Sequence, residues 1–508
     1  MMLTTKLLRR SGLGILTIII ALGCISCEKD FFDAKIGDKI LPEDHYKDAN
    51  DVWSSYKGIV LLLQEIMPKH IILDGLLSDQ IEPTGVAGPD LVTLYNHAVS
   101  AGNSYIEGSP YYKVIVSAND VLSNVDAVVE NDPLNYDSLT NVAVKRALIT
   151  YRSWAYLNYV RLYGRAAILP EQLLSIEDAE NLEIVDRETM LYRLIDDITP
   201  VLHDENDELA EVYIDNALNS KALLGEIYLE LNDYDQAAEY LRTACESFGR
   251  SMYKVDGSYS RENYADIFIN PGGAVREVIA AVPFSFEDGQ KNDLEVYFRP
   301  DHDYSLRPTS RLMELFNVQQ QVNDTVFGDV FRGRGVSYDS ISGDTSRFYI
   351  SKYSLDPAAV LYSADIILYR ASDVHLMTAE AYNRLGETDI ALTLLNNGIK
   401  QLSSRPTDFR SWSSNEGVRG RVFLDPVVVP GDVGDVVTFL EDKIMEERAM
   451  ELAFEGRRWF DLMRVARRRN DPSFLANKVA AKYSDDAISQ RVNQELMIEE
   501  NWYLPSVQ

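Results

Sequence analysis

Cysteine is scarce in this chain, three in 508 residues. Cys24 and Cys27 lie close together near the N-terminus, and Cys245 stands alone in a segment with helical spacing. No disulfide framework and no cysteine-based metal site can be assembled from such a set, and Cys245, in RTACESF, reads as a small buried residue. Positive charge is also in short supply: 49 Lys and Arg face 79 Asp and Glu, a formal net charge of −30. A surface this acidic argues against nucleic-acid backbones and anionic membranes as partners. The histidines, His45, His70, His97, His203, His302 and His375, are dispersed. Only Asp301-His302-Asp303 gathers ligand-type side chains; neighbours on an extended chain point in alternate directions, and no second His/Asp cluster completes a site. Neither a metal nor a cofactor is expected. G-x-S-x-G, H-E-x-x-H and Walker-type loops are absent as well. A glycoside hydrolase using two carboxylates stays open as an alternative, but among 79 acidic residues a pair can always be found, so proximity by eye carries no weight and no catalytic residue is assigned.

What the chain does have is size and rings. It is 46% hydrophobic and 25% charged, an ordinary globular balance, and its 29 Tyr and 17 Phe offer ample surface for stacking on sugar rings or peptide side chains. A short apolar run, Leu13 to Leu22, follows Lys6, Arg9 and Arg10 and leads into small residues and the two cysteines. That is the layout of a secretory signal, and the run is short for a membrane span. Removing those three positive charges takes the net charge from −30 to −33. Either Cys24, after Ala21-Leu22-Gly23, or Cys27, after Ile25-Ser26, could be the lipidated first residue of a mature lipoprotein.

The densest pattern lies near the C-terminal end. Leu440, Ile444, Leu452 and Ala453, then Trp459, Leu462, Met463 and Ala466 after Gly456, predict two amphipathic helices joined at a glycine. Between the apolar positions, Glu446, Glu447, Arg448, Glu451, Glu455, Arg457 and Arg458 run from acid to base, an order that suits partly buried ion pairs at a structural corner. The stretch IMEERAMELAFEGRRWFDLMR resembles the E-R-x-x-E-L-x-x-E-G-x-R-W-x-D-L-x-R signature of the SusD/RagB family of surface nutrient-binding lipoproteins. Other segments agree with that resemblance. Ala118-Asn119 matches an aromatic-x-x-I-x-x-A-N pattern, and Arg152 to Gly164 resembles R-x-x-x-Y-x-x-L-V-R-L-Y-G, with Tyr159 as a departure. ADIILYRASDVHLMTAEAYNRLG, from Ala364, resembles the helix D-I-x-L-x-R-x-A-D-V-x-L-x-x-A-E-A, and Asn501 to Pro505 resembles the family terminus. CEKDFFD resembles the C-x-x-F-L-D start of mature members, which favours Cys27, with Glu28 and Asp30 as a surface-export tag. The expected organisation is a signal peptide over 1–26, a lipidated tether over 27–44 and a single SusD-like domain over 45–508.

Periodicity fills in the scaffold. Helices are predicted over Asp51 to Met67, stopped by Pro68, and over Tyr111 to Val129, Leu139 to Tyr163 and Thr189 to Leu202. Leu224-Gly225-x-x-Tyr228 followed by Ala237 and Leu241 fits a tetratricopeptide hairpin, and the Tyr382, Ala391 and Leu395 spacing repeats it. The fold class expected from this periodicity is mostly α, and the resemblance implies a SusD-like helical scaffold of dispersed tetratricopeptide-type pairs with an irregular loop and short-strand ligand-binding face. That face is expected in the loop-rich stretch after Met67, in an insertion over about 253–361, where EVIAAVPFSF and RFYISKY alternate as strands, and in a second loop over about 403–437.

By the resemblance, the protein binds a glycan, or in some branches a peptide, and serves a SusC-like TonB-dependent transporter from a lipid anchor in the outer membrane, with no chemistry of its own. Ligand-binding candidates are Asp79, Tyr95, Asn96, Asn103, Tyr105, Tyr297, Phe298, Tyr304 and Trp412. The six rings among them are aromatics in loops, several beside charged groups, a combination suited to stacking on a sugar face while hydrogen-bonding its hydroxyls. The alternatives are a RagB-like peptide binder, a tetratricopeptide adaptor with protein partners only, and the glycoside hydrolase already named.

Overall fold

The computed structural model describes residues 45–505 apart from 172–180, 203–216, 248–249, 252, 257–259, 272–275, 323–325, 357–362, 403–408 and 410. The expected signal peptide, Cys24, Cys27 and the tether lie outside the described residues, as does His203.

Among the described residues the chain is helical with short strands between. In order it forms α1 (Ala49–Leu77), β1 (Ile81–Pro83), α2 (Pro89–Tyr95), α3 (Ser109–Asn131), α4 (Ser138–Tyr163), β2 (Arg165–Ala167), β3 (Ile184–Asp186), α5 (Arg187–Ile198), α6 (Ser220–Glu230) and α7 (Tyr234–Ala244). Then come β4 (Glu246–Ser247), β5 (Arg250–Ser251), α8 (Arg261–Ile269), β6 (Val278–Val282), α9 (Leu294–Phe298), β7 (Leu306–Pro308), α10 (Ser310–Asn317), β8 (Tyr338–Ile341), β9 (Asp344–Ile350) and β10 (Ile366–Arg370). The chain closes with α11 (Ala371–Arg384), α12 (Thr388–Asn396), α13 (Val436–Glu451), α14 (Arg458–Arg469), α15 (Pro472–Ala480) and α16 (Asp486–Leu496).

The scaffold is a chain of packed helix pairs. α1 lies on α3, α3 on α4, α4 on α5, and the two tetratricopeptide-type hairpins, α6–α7 and α11–α12, meet where α7 packs on α11. Gly225 makes the first hairpin possible: a Cβ there would lie 2.5 Å from Leu241 Cγ and 3.1 Å from the Leu241 backbone nitrogen. Strands occur as antiparallel pairs, β1–β7 and β8–β9 among them.

The helices α2, α8, α9 and α10 stand where loops and short strands are expected from the sequence, and two further differences have a plain physical reason. α1 does not stop at Pro68 but runs through it to Leu77. Proline removes one helical hydrogen bond, at a cost of about 3 kcal/mol, yet Ile66, Met67, Ile71 and Ile72 on either side are all buried, and burying such side chains is worth about 1.5–3 kcal/mol each. Packing outweighs the lost bond. The second difference is in Ala364 to Gly386, where Ile366–Arg370 is a strand paired with β6 and the helix begins only at Ala371. The strand reads as a fully buried run, Ile-Ile-Leu-Tyr-Arg, a pattern that period alone does not separate from a helix.

Candidate functional site

The C-terminal corner is a frame, and its charges are spent on itself. α13 and α14 meet at Gly456, whose φ of +75° places it in the left-handed region and whose Cβ, if it had one, would lie 2.8 Å from His70 Cδ2. Glu451 is fully buried and receives Arg332, Arg370 and Arg421. Burial alone would raise its pKa, but the three guanidinium groups hold its carboxyl well below the usual carboxylate range. Around it, Arg370 also reaches Glu277 and Glu455, each at 2.8 Å, Lys352 reaches Glu455 at 2.8 Å, and Arg419 reaches Glu447 at 2.7 Å. A second group joins Arg448 to Asp373 and Asp461, and Arg464 to Glu380 and Asp461. The charged residues of the recurring motifs therefore pair with one another inside the protein, and no carboxylate among these is left free to act on a substrate.

Asp79 belongs to this frame. Its burial would raise its pKa, but Arg458 donates to both of its oxygens at 2.8 and 2.9 Å and holds the carboxyl below the usual range. Trp412 is also internal: its ring stacks on His375 with centroids 4.1 Å apart, its Nε1 donates to the Arg242 carbonyl, and none of it is exposed. Phe298 is buried against Tyr353. Asn103 is buried too, its amide donating to the Asp90 carbonyl and its Oδ1 accepting from the Tyr105 backbone. These four, expected as ligand contacts, are buried and brace the segments that carry them, Phe298 by packing from α9 and the other three through hydrogen bonds as well.

What those loops present lies next to them. β1 and β7 pair antiparallel, so the chain after α1 runs beside the chain after α9. Thr84 ties the two further, its backbone N–H donating to the Ser305 carbonyl at 2.8 Å and its hydroxyl to the Tyr304 carbonyl at 2.6 Å. The segment after α2 is fixed by Asp90, whose carboxylate accepts from both the backbone and the hydroxyl of Ser104. This brings Tyr105 to Tyr297, 192 residues away, with their hydroxyls 3.1 Å apart and their rings edge to face at 6.3 Å between centroids. Both tyrosines are half-buried. Burial, and then the bond to Tyr297, raise the Tyr105 hydroxyl well above its ordinary pKa, so it stays neutral and can exchange hydrogen bonds with neutral hydroxyl groups.

Tyr95 and Asn96 lie at the far end of α2. Tyr95 is half-buried under the Lys482 ammonium, 4.7 Å from its ring centroid, and against Tyr483. The Asn96 carbonyl accepts from Arg491 at 2.8 Å. Tyr304 is 6% exposed, so its ring is no open platform. Its hydroxyl donates to the Phe348 carbonyl at 2.6 Å, and the Arg347 guanidinium covers it at 5.3 Å from the ring centroid. Of the nine candidates, then, Tyr105 and Tyr297 meet on the surface, Tyr95 and Asn96 flank another junction, and the other five are internal. Arg347 and Tyr349 on β9 were not singled out from the sequence, although alternation in Arg347-Phe348-Tyr349-Ile350 puts them on one face of the strand.

No group of three or more His, Cys, Asp or Glu among the described residues could hold a metal ion. Asp301 of the Asp-His-Asp tripeptide is taken by Arg299 at 2.8 Å. No helix of the described residues is long and apolar enough to cross a membrane.

Comparison with known proteins agrees with this frame. A model of the SusD family matches residues 288–508, which contain the paired-charge corner and one side of the tyrosine face. Over that C-terminal part the chain is similar to the SusD family. SusD-like protein P38 of Formosa agariphila is 23% identical over 88% of this chain and 90% of its own length, and SusD-like protein P25 of the same organism is 24% identical over 89% of each. In three dimensions, a SusD superfamily protein from Bacteroides vulgatus superposes with a TM-score of 0.67 at 16% identity, covering 89% of this chain and 93% of its own. A laminarin-binding SusD-like protein superposes with a TM-score of 0.61 at 16% identity over 88% and 96%. At that identity the likeness concerns the SusD fold, and the chemistry of the tyrosine face must be argued from this chain's residues.

Proposed function

We propose that this SusD-like protein captures a glycan on the Tyr105–Tyr297 face and delivers it to a SusC-like TonB-dependent transporter, held at the outer-membrane surface by a lipid on Cys27. The observation that carries the reading is the tyrosine pair itself. Two half-buried rings, one from the loop after α2 and one from α9, meet edge to face on a braced surface, with hydroxyls that can bond to sugar hydroxyls while the rings contact a sugar face. The laminarin-binding SusD-like neighbour supports a glycan as the ligand class. Capture requires shape and differential binding, not bond breaking, which accords with the internal pairing of the buried carboxylates.

The test is titration calorimetry of the purified full-length protein in detergent against glucan oligomers, other plant and host glycans and casein-derived peptides, followed by chromatography of the recovered ligand. Saturable glycan binding with unchanged ligand length is the expected result. Shortened glycans would make the protein a hydrolase, and binding confined to peptides would move it to the peptide-binding branch. Copurification of a barrel transporter from outer membranes tests delivery.

A further inference from the structure

Tyr304 is held in a costly conformation. Its φ is +47°, a left-handed setting that a bulky aromatic residue rarely adopts, and such outliers persist only where the surroundings over-determine them. Here they do. The Tyr304 carbonyl accepts from Thr84, its N–H donates to the Val296 carbonyl at 3.3 Å, and its hydroxyl donates to the Phe348 carbonyl. The ring so fixed is almost entirely covered, and what covers it is Arg347, whose own side chain is exposed. The strain therefore serves to hold a pedestal under a guanidinium group.

That guanidinium forms no ion pair among the described residues, and the carboxyl it acts on, Asp344, is held below the usual carboxylate range first by Ser346 and only then by Arg347. Among the described residues, Arg299 is paired with Asp301 and Glu295, and Arg307 with Glu82, while no ion pair engages Arg347. Asp344 is the acid nearest to it along the strand. Its Oδ1 is turned into the β8–β9 turn, accepting the backbone and hydroxyl of Ser346 at 3.1 and 2.6 Å. Tyr349, two residues on, continues the same strand face and is half-buried. Through the Tyr304 N–H bond to Val296, this face is continuous with α9 and Tyr297. In a chain with a net charge of −30, Arg347 is an exposed, ring-backed cation with no ion pair among the described residues, on a face joined to the tyrosine pair through α9.

We propose that Arg347, seated on Tyr304, binds an oxyanion of the captured glycan, so that the ligand is an acidic oligosaccharide bearing carboxylate or sulfate groups. A guanidinium matches either group with two parallel hydrogen bonds, and stacking on a ring pre-orients it. This inference rests on the glycan-capture reading and narrows it.

The test is calorimetry of the full-length protein with three probes of similar length: a neutral β-glucan oligomer, an oligogalacturonate and a sulfated galactan oligomer. The expected result, at low salt, is at least tenfold tighter binding of one or both acidic oligomers than of the glucan. The preferred one identifies the anion, and 0.5 M NaCl should remove the preference. Arg347→Ala should abolish the preference, and Arg347→Lys should restore part of it. Circular dichroism melting checks that both variants fold, and Arg334→Ala, at an exposed arginine that precedes β8 and bonds to Ser340, serves as the control. Equal or tighter binding of the neutral oligomer, or a preference that survives Arg347→Ala, overturns this inference while leaving glycan capture standing. No binding of any of the three probes overturns this inference, and a failure across the wider panel as well overturns the capture reading.

Discussion

A buried arginine is tolerable only when its charge is matched, and Arg370 shows how completely that is done here. Its guanidinium reaches Glu277, Glu451 and Glu455 in a site that is 1% exposed. Arg370→Met would leave three buried carboxylates short of a partner, so we expect a loss of about 3–5 kcal/mol in urea unfolding; a loss below about 1 kcal/mol would show that the network relaxes around the gap. Glu226 gives a pH test. Burial opposes its ionisation, but Arg161, Arg457 and the Tyr369 hydroxyl bring its pKa down from 4.5 to about 2. Because the folded value is depressed, its stabilising contribution is complete above about pH 4.5 and is lost as pH falls towards 2, about 3 kcal/mol in all. Glu226→Gln should flatten urea-unfolding stability across that window relative to the natural protein, and an unchanged slope would contradict the assignment. The acid-then-base order around Glu451 and Arg458 pointed to buried ion pairs at this corner but not to their partners, which come from distant segments: Arg332, Arg370 and Arg421 for Glu451, and Asp79 for Arg458. Which rings face solvent was not legible, because Trp412 and Tyr105 are alike as loop aromatics and differ only in what packs over them.

At the scale of elements, the signals that survived are those backed by packing. The α6–α7 hairpin follows from Leu224-Gly225-x-x-Tyr228, and its small residue sits where the two helices touch. Gly225→Ala would drive a Cβ to 2.5 Å from Leu241. We expect it to destabilise the protein by about 1–3 kcal/mol in thermal or urea unfolding, even though alanine is the better helix former; a stabilised variant would mean that the hairpin is looser than described. The places where local rules misled are equally physical. Pro68 stops a helix whose face is unsupported, but α1 is buried on both sides of it. Ile366–Arg370 carries no alternation because both faces of the strand are covered.

Across the whole molecule, the frame and the site differ in how they are encoded. The frame is written in contiguous motifs, and so the helical SusD architecture could be anticipated from short stretches. The tyrosine face is assembled from the loop after α2, α9 and its following turn, β1, β7 and β9, whose adjacency only the folded chain reveals. Sequence reading could place Tyr105 and Tyr297 in promising loops but could not bring them together, and it passed over Arg347 because a lone arginine in a strand has no pattern. The most direct measurement is the affinity of the natural protein and of the Tyr105→Ala/Tyr297→Ala double variant for one glycan that the natural protein binds saturably. Both proteins should melt at similar temperatures, and the account predicts at least a tenfold loss of affinity in the variant. Undiminished binding by a folded double variant would contradict the claim that this face captures the ligand.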